Sequence, residues 1–151
     1  MMLRLRSVLS LLLVVVTTFL VSCSSPSAAK IPDTYNADRM AQIQTYLTPV
    51  EEARAGMDTL GKLVKDNNWI DTRTYIHGPF GFLRRDLTYL ANTLLPSDKA
   101  EAKGLVDEIF DHLVHLDAAA KDNNVAISNS EYRNALSDFE AFLQLVPESA
   151  S

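Results

Sequence analysis

The sequence has 151 residues, which is enough for one domain with a hydrophobic core and too short to suggest two. It contains 14 basic and 19 acidic residues, and its net charge of −5 argues against a general nucleic-acid binder, which needs a basic face. A single cysteine excludes an internal disulfide and a metal site built from several cysteines.

The N-terminal segment predicts export and a lipid anchor. Arg4 and Arg6 precede an almost wholly apolar run, residues 9–21, which is shorter than the roughly 20 residues that a membrane-spanning helix needs. We therefore predict a cleaved signal peptide over residues 1–22. Leu20-Val21-Ser22-Cys23 resembles the bacterial lipobox, in which the cysteine is lipidated and becomes the new N-terminus. The alternative is an ordinary signal peptide followed by a chance cysteine, but a lone cysteine in an exported protein then lacks a partner.

The segment after Cys23 predicts a tether. Ser24–Lys30 is small and polar, so residues 23–36 are interpreted as the lipidated cysteine and a flexible connection. The remaining residues, 37–151, are predicted to form the folded domain. Removal of the signal peptide would take away two arginines and no acid, which makes the mature chain more acidic still.

The first helical pattern leaves two interpretations open. Ala37–Leu47 predicts a short helix, and Thr48-Pro49-Val50-Glu51 then matches a capping box with proline at the first helical position. The alternative is one longer helix that is kinked at Pro49. Either way, apolar residues recur at steps of three and four up to a stop near Asp66-Asn67-Asn68. These apolar residues are Val50, Ala53, Met57, Leu60 and Val64.

The second helical pattern lies over Trp69–Pro96. Its apolar positions also alternate between steps of four and three, which places them on one side of a helix. They are Ile76, Phe80, Leu83, Leu87, Leu90 and Leu94. Gly78-Pro79 falls inside the pattern and predicts either a kink or a short first segment followed by a main helix from Phe80. We interpret Trp69 as a packing residue between the first and second helices.

The third and fourth patterns complete the domain. Ser97 predicts a cap for the third helix, which ends at Asp122-Asn123-Asn124, and Ser128-Asn129-Ser130-Glu131 predicts a capping box for the fourth. The predicted inner face of the third helix is Val106, Ile109, Leu113, Leu116 and Ala120, and that of the fourth is Tyr132, Ala135, Phe139, Phe142 and Val146. Since no stretch alternates with a period of two, the fold class is all-α, an up-down-up-down four-helix bundle.

One group of side chains suggests a metal site. His112 and His115 lie three residues apart on the third predicted helix, a spacing that can supply two zinc ligands, and Asp111 and Glu108 lie close by in the sequence. The alternative is a half-exposed polar face with, at most, a weak surface zinc site. We predict no cofactor and no catalytic metal.

The second helix carries the candidate docking residues. Arg84 and Arg85 fall off the apolar stripe, so at least one should face solvent or a partner. His77 precedes the Gly78-Pro79 break, where it could respond to pH near neutrality or simply pack. Arg73 adds a further positive charge. Because the sequence contains no Gly-X-Ser-X-Gly motif and no phosphate loop, we predict a non-catalytic protein with a docking role for these four side chains.

Several blocks of sequence resemble the PsbQ family, and within it the cyanobacterial lipoprotein branch. The blocks cover the mature chain in the family's order. They include Trp69-Ile70-Asp71, Tyr75–Gly81, Leu83-Arg84-Arg85, Leu94–Asp98, Phe110–Leu113, Leu116–Ala119 and Tyr132–Phe139.

This resemblance implies a four-helix bundle that is an extrinsic subunit of photosystem II, lipid-anchored on the lumenal side of the thylakoid membrane. Such a subunit stabilises the oxygen-evolving complex and helps it retain calcium and chloride, which are ligands of the photosystem and not of this chain. The implied neighbours are PsbO and the inner antenna protein PsbB. The alternative function is that of an exported zinc-binding helical lipoprotein that uses His112 and His115.

Overall fold

The computed structural model describes residues 34–148, which contain five α-helices and no strand. The helices are α1 (Ala37–Lys65), α2 (Trp69–His77), α3 (Leu83–Thr93), α4 (Pro96–Lys121) and α5 (Val125–Gln144). The predicted signal peptide and Cys23 lie outside the described residues. The all-α prediction is confirmed for the described part of the chain.

Helix α1 runs without interruption through Pro49. Of the two interpretations, one long helix through Pro49 is therefore the one observed, and a separate short helix over Ala37–Leu47 is not. The predicted cap at Thr48 is wrong, because its hydroxyl donates back to the Gln44 carbonyl, 3.3 Å away, in the middle of the helix. The cap is Asn36, whose side chain accepts from the Arg39 amide at 2.9 Å. Buried apolar residues on both sides of Pro49, Ile43 and Val50, offset the missing proline hydrogen bond.

The same three-residue turn follows α1 and α4. The first turn is Asp66-Asn67-Asn68 and the second is Asp122-Asn123-Asn124. Their middle residues, Asn67 and Asn123, adopt φ values of 55° and 54°. After α1, the amide of Asn68 donates to Leu63 at 2.9 Å and that of Asn67 to Val64 at 3.1 Å, the hydrogen-bond pattern of a Schellman cap. The last residue of each turn, Asn68 or Asn124, then caps the next helix. The predicted stops at these two turns are confirmed.

The predicted second helix is two helices, α2 and α3, separated by Gly78–Phe82. The main segment begins at Leu83 and not at Phe80, because Phe80 turns into the core within the connection. A Cβ at position 78 would lie 2.9 Å from the Thr74 carbonyl oxygen, so glycine is required where the chain leaves α2. The apolar stripe is confirmed, since five of its six residues are buried and Ile76 packs against them.

Two further predicted caps are wrong. Helix α4 begins at Pro96, one residue before Ser97, and its first turn has no side-chain cap. Helix α5 begins at Val125, so Ser128 lies inside the helix with its side chain buried. In both cases the chain is already helical when it reaches the serine. The residue that caps α5 is Asn124, which accepts from the Ile127 amide at 3.1 Å.

The core is built from the predicted inner faces. Helix α1 contacts α2, α3 and α5, whereas α4 contacts α2, α3 and α5, with the α4–α5 contact the most extensive. The largest fully buried side chains include Phe139, Phe142, Met57, Leu87 and Ile109. Tyr132 is only partly buried, and Val146 lies beyond the end of α5. Burial of these apolar faces is the main stabilising contribution to the fold.

The end of the predicted tether is fastened to the α3–α4 corner. Tyr35 is buried, and its hydroxyl donates to Asp98 at 2.5 Å and accepts from the Leu95 amide at 3.2 Å. Arg39 adds hydrogen bonds to the carbonyls of Thr93 and Leu94, at 3.0 and 3.2 Å. Tyr35 and Asn36, the last two residues of the predicted flexible tether, are therefore held against the domain.

Candidate functional site

Two of the four candidate docking residues meet at one carboxylate. Arg73 and His77 are four residues apart on α2, a spacing that places them on the same face. The Nε of Arg73 lies 3.0 Å and the Nε2 of His77 lies 2.9 Å from Oδ1 of Asp117 on α4. This carboxylate ties the short helix α2 to the long helix α4. Asp117 was not among the predicted site residues.

A cleft of about 680 Å³ opens beside this contact, between α2 and the end of α4. Trp69, Ile70 and Ala120 supply apolar surface, and Arg73 and Lys121 supply positive charge. The other lining residues are Thr74, His77, Gly78 and Asn123. Trp69 is therefore both the first residue of α2 and part of the wall of this cleft. Neither Ile70 nor Lys121 was predicted, because the helical period alone assigns both to solvent.

A second cleft, of about 500 Å³, shares His77 with the first one. Its walls are mostly apolar, and Val114 on α4 remains 62% exposed. The lining residues are Ile76, His77, Phe80, Gly81, Phe110, Leu113, Val114 and Asp117. The break between α2 and α3 thus creates this cleft, because Phe80 and Gly81 leave the helical path there. His77 borders both clefts.

Arg84 and Arg85 do not join the other two candidates. The guanidinium of Arg84 lies 2.5 Å from an oxygen of Asp107 and 5.1 Å from the ring centre of Phe110. Arg85 pairs with the adjacent Asp86 at 2.9 Å and lies over Phe82 at 4.7 Å. Both side chains are more than half exposed, which confirms that at least one faces solvent. Exposed pairs of this kind contribute little to stability, so they can exchange for contacts with a partner.

The candidate metal residues have other partners. Nδ1 of His112 lies 2.7 Å from Glu131 and its Nε2 lies 3.4 Å from Asp138, both on α5. His115 lies 4.0 Å from the same oxygen of Glu131. Over residues 34–148, no three histidine, cysteine or carboxylate side chains are grouped as a metal site requires.

Asp111 and Glu108 are exposed and form no ion pair with either histidine in the described part of the chain. Sequence reasoning missed Glu131 and Asp138, although their spacing of seven residues places them on one face of α5. The two carboxylates hold His112 at the α4–α5 contact. The arrangement explains a polar contact between helices and does not require a metal.

No helix within residues 34–148 combines the length and the apolar character that crossing a bilayer requires.

Comparison with known proteins places the chain in a family. The family profile described as "PsbQ: Oxygen evolving enhancer protein 3" matches residues 4–147. A protein named CyanoQ, from Synechocystis sp. strain PCC 6803, is 54% identical to the chain over 148 residues, which are 97% of this chain and 99% of that protein. The match includes the docking candidates and both clefts, and the chain belongs to the PsbQ family.

Proposed function

We propose that the chain is a non-catalytic, extrinsic subunit of photosystem II that stabilises the oxygen-evolving complex and helps it retain calcium and chloride. The observation that carries this proposal is the family match over residues 4–147, together with 54% identity to CyanoQ over nearly the whole of both chains. The all-α structure is consistent with it. Calcium and chloride belong to the photosystem in this proposal, and no residue of this chain is assigned to them.

The proposed architecture is an up-down-up-down four-helix bundle in which α2 and α3 together form the second helix. Its support is the pattern of contacts, because α1 and α4 each contact α5 and the α2–α3 pair. The bundle follows a lipoprotein signal peptide, residues 1–22, and the tether that begins at Cys23. This assignment rests on the lipobox pattern Leu20-Val21-Ser22-Cys23.

The proposed location is the lumenal side of the thylakoid membrane, where a lipid on Cys23 anchors the chain. If lipidation gives Cys23 two acyl chains, these bind a bilayer far more stably than one chain would, and they suffice for attachment without a spanning helix. Membrane fractionation of the Cys23→Ala variant tests the anchor. Release of the variant into the soluble fraction supports it, and retention equal to that of the wild type contradicts it.

The proposed partners are PsbO and the inner antenna protein PsbB, as the family resemblance implies. Arg73, His77, Arg84 and Arg85 are the proposed docking residues. The first two lie on α2 and the last two in the first turn of α3, and their ion pairs are with exposed or partly exposed carboxylates. The alternative, a zinc-binding lipoprotein using His112 and His115, has less support, since His112 already contacts Glu131 and Asp138.

Deleting the gene tests the proposed function. Oxygen evolution is measured in complete medium and in medium depleted of calcium and chloride, with the deletion strain complemented by the wild-type gene as the control. We expect a larger loss of activity in the depleted medium, restored by the complementing copy. Activity and photosystem assembly that are unchanged in both media would rule the function out.

A further inference from the structure

We propose that the cleft between α2 and α4, called here the α2–α4 cleft, binds a peptide segment of photosystem II in which a carboxylate lies next to an apolar side chain. The cleft is the one lined by Trp69, Ile70, Arg73, Thr74, His77, Gly78, Ala120, Lys121 and Asn123. This inference rests on the proposed function, and it adds the chemistry of the partner and the place where the partner binds.

The charge of the cleft is opposite to that of the chain. Its lining includes Arg73, Lys121 and His77 but no carboxylate, although the chain as a whole has a net charge of −5. Asp117 binds Arg73 and His77 from beside the cleft and engages one edge of the guanidinium, through Nε at 3.0 Å and one terminal nitrogen at 3.5 Å. Arginine has five N–H donors, so donors remain for a carboxylate of a partner. Lys121 forms no ion pair within the described residues.

The apolar part of the cleft is incompletely covered. Ile70 is 80% exposed, which is the largest exposure of any large apolar side chain that the structure describes. It lies next to Trp69, and tryptophan and arginine are the residue types most enriched among side chains that dominate binding energy. An apolar side chain of a partner would cover Ile70 while its carboxylate contacts the two cations. The lining therefore has both components that recognition of an acidic, apolar segment requires.

The size of the α2–α4 cleft favours a short segment over a second copy of this chain. A volume of about 680 Å³ is in the range of sites that hold a few side chains. Another groove of the protein, lined in part by Leu47, Leu143 and Val146, carries three glutamates, Glu51, Glu140 and Glu148. That groove is acidic but concave, so it cannot fill the α2–α4 cleft of a neighbouring copy. It would also repel the acidic segment, which directs the segment to the α2–α4 cleft.

Binding of the purified full chain to photosystem II particles depleted of their own copy tests the inference. The cleft variant is Ile70→Asp with Lys121→Glu, two exposed side chains that form no ion pair in the described residues. The control variant, Ile127→Asp with Lys103→Glu, makes the same substitutions and the same change of charge at exposed positions that do not line the cleft. We expect about tenfold weaker binding for the cleft variant and a change within about twofold for the control. Circular dichroism checks that both variants keep the helical content of the wild type.

A photo-crosslinker at position 70, followed by mass spectrometry, identifies the bound segment. We expect a photosystem peptide that contains aspartate or glutamate beside an apolar residue. Equal binding of the cleft variant and the wild type would overturn the inference while leaving the proposed function in place. A crosslink to a second copy, or to a segment without a carboxylate, would also overturn it. Failure of the wild type itself to bind would instead contradict the proposed function, and the inference with it.

Discussion

The hydroxyl of Tyr35 donates a hydrogen bond of 2.5 Å to the carboxylate of Asp98, which joins the segment before α1 to the first turn of α4. The same hydroxyl accepts from the Leu95 amide, so it satisfies two groups at the α3–α4 corner. Together with Arg39, which donates to two carbonyls at the end of α3, it fixes the chain where the predicted tether ends. If Cys23 carries a lipid, the connection to the membrane leaves the domain beside this corner.

Replacing Tyr35 with phenylalanine tests this contact. We expect the Tyr35→Phe variant to lose about 1 to 2 kcal/mol of unfolding free energy at neutral pH, because the Leu95 amide loses its partner and Asp98 loses a donor. Urea denaturation of the wild type and the variant measures the loss, provided that both show the same dependence of unfolding free energy on urea concentration. Tyr89→Phe is the matched control, since Tyr89 is exposed and its hydroxyl has no hydrogen bond in the described residues. An equal effect of both substitutions would contradict the assigned role.

The difference between the wild type and the Tyr35→Phe variant should depend on pH. Burial, and then the hydrogen bond to Asp98, raises the pKa of Tyr35 above its ordinary value of 10.0. The unfolded chain therefore loses this proton first, and the stability that Tyr35 contributes is complete below about pH 10 and falls as pH rises above it. The two denaturation midpoints should converge as the pH rises above about 10. A difference that stays constant as the pH rises above about 10 would contradict the raised pKa.

Two glycines of helical segments should respond in opposite directions to alanine. A Cβ at position 61 would lie 2.5 Å from Cζ of Tyr132, whose hydroxyl donates to the Met57 carbonyl at 3.1 Å. We expect Gly61→Ala to lower the unfolding free energy by about 1 to 3 kcal/mol, because Tyr132 must move. A Cβ at Gly104, in contrast, meets no atom within 4 Å.

Gly104 lies inside α4 and is exposed, so Gly104→Ala should raise the unfolding free energy by about 1 kcal/mol. Thermal denaturation of the pair measures both effects under the same conditions. Stabilisation by Gly61→Ala would show that Tyr132 does not depend on the space at position 61.

Asp117 should control how firmly α2 is held. A helix of nine residues is not stable alone, so α2 depends on its contacts with α1 and α4. We expect Asp117→Asn to lower the free energy of unfolding by only about 1 kcal/mol. Arg73 and His77 are partly exposed, so solvent screens their attraction to the Asp117 carboxylate. Hydrogen exchange of the α2 amides should accelerate, while exchange in α5 stays the same. Asp107→Asn is the control. It removes the ion-pair partner of Arg84, a carboxylate more exposed than Asp117, and should leave hydrogen exchange in α2 unchanged.

The buried hydroxyl of Ser128 should be dispensable. Its oxygen has no hydrogen-bond partner among the described residues and is buried in the first part of α5. A buried polar group without a partner is unfavourable, so Ser128→Ala should raise the unfolding free energy by about 1 kcal/mol. Ser137→Ala, at an exposed position of the same helix, provides the control for helix propensity. A larger gain for Ser137→Ala would contradict the explanation.

The sequence predicts the buried faces better than it predicts the ends of the helices. Steps of three and four residues identify the core because burial follows the helical period, and Leu83, Leu87 and Leu90 are buried as predicted. Capping boxes at Thr48 and Ser128 match a local pattern, but that pattern also occurs inside helices. The helix continues because the apolar stripe packs against the core on both sides of Pro49. The four-residue pattern Thr48–Glu51 carries no information about that packing.

The candidate site was predicted only in part, for a related reason. Exposed arginines can be identified because they fall off the apolar stripe, as Arg84 and Arg85 do. Their partners lie far away in the sequence, and Asp117 is 44 residues from Arg73. The helical period gives the face of α2 but not its position along α4, so neither Asp117 nor the α2–α4 cleft follows from it. The same limit applies to His112 and its partners on α5.

Co-purification through an affinity tag after Ser151 tests whether the chain is a subunit of photosystem II. The tagged full chain is expressed in cells that lack the native copy, membranes are solubilised in mild detergent, and the captured proteins are identified by mass spectrometry. An untagged strain serves as the control for non-specific capture. We expect photosystem II subunits, including PsbO and PsbB, to be recovered with the tagged chain and to be absent from the control. Recovery of the tagged chain without photosystem II subunits would contradict the proposal that the chain is one of them.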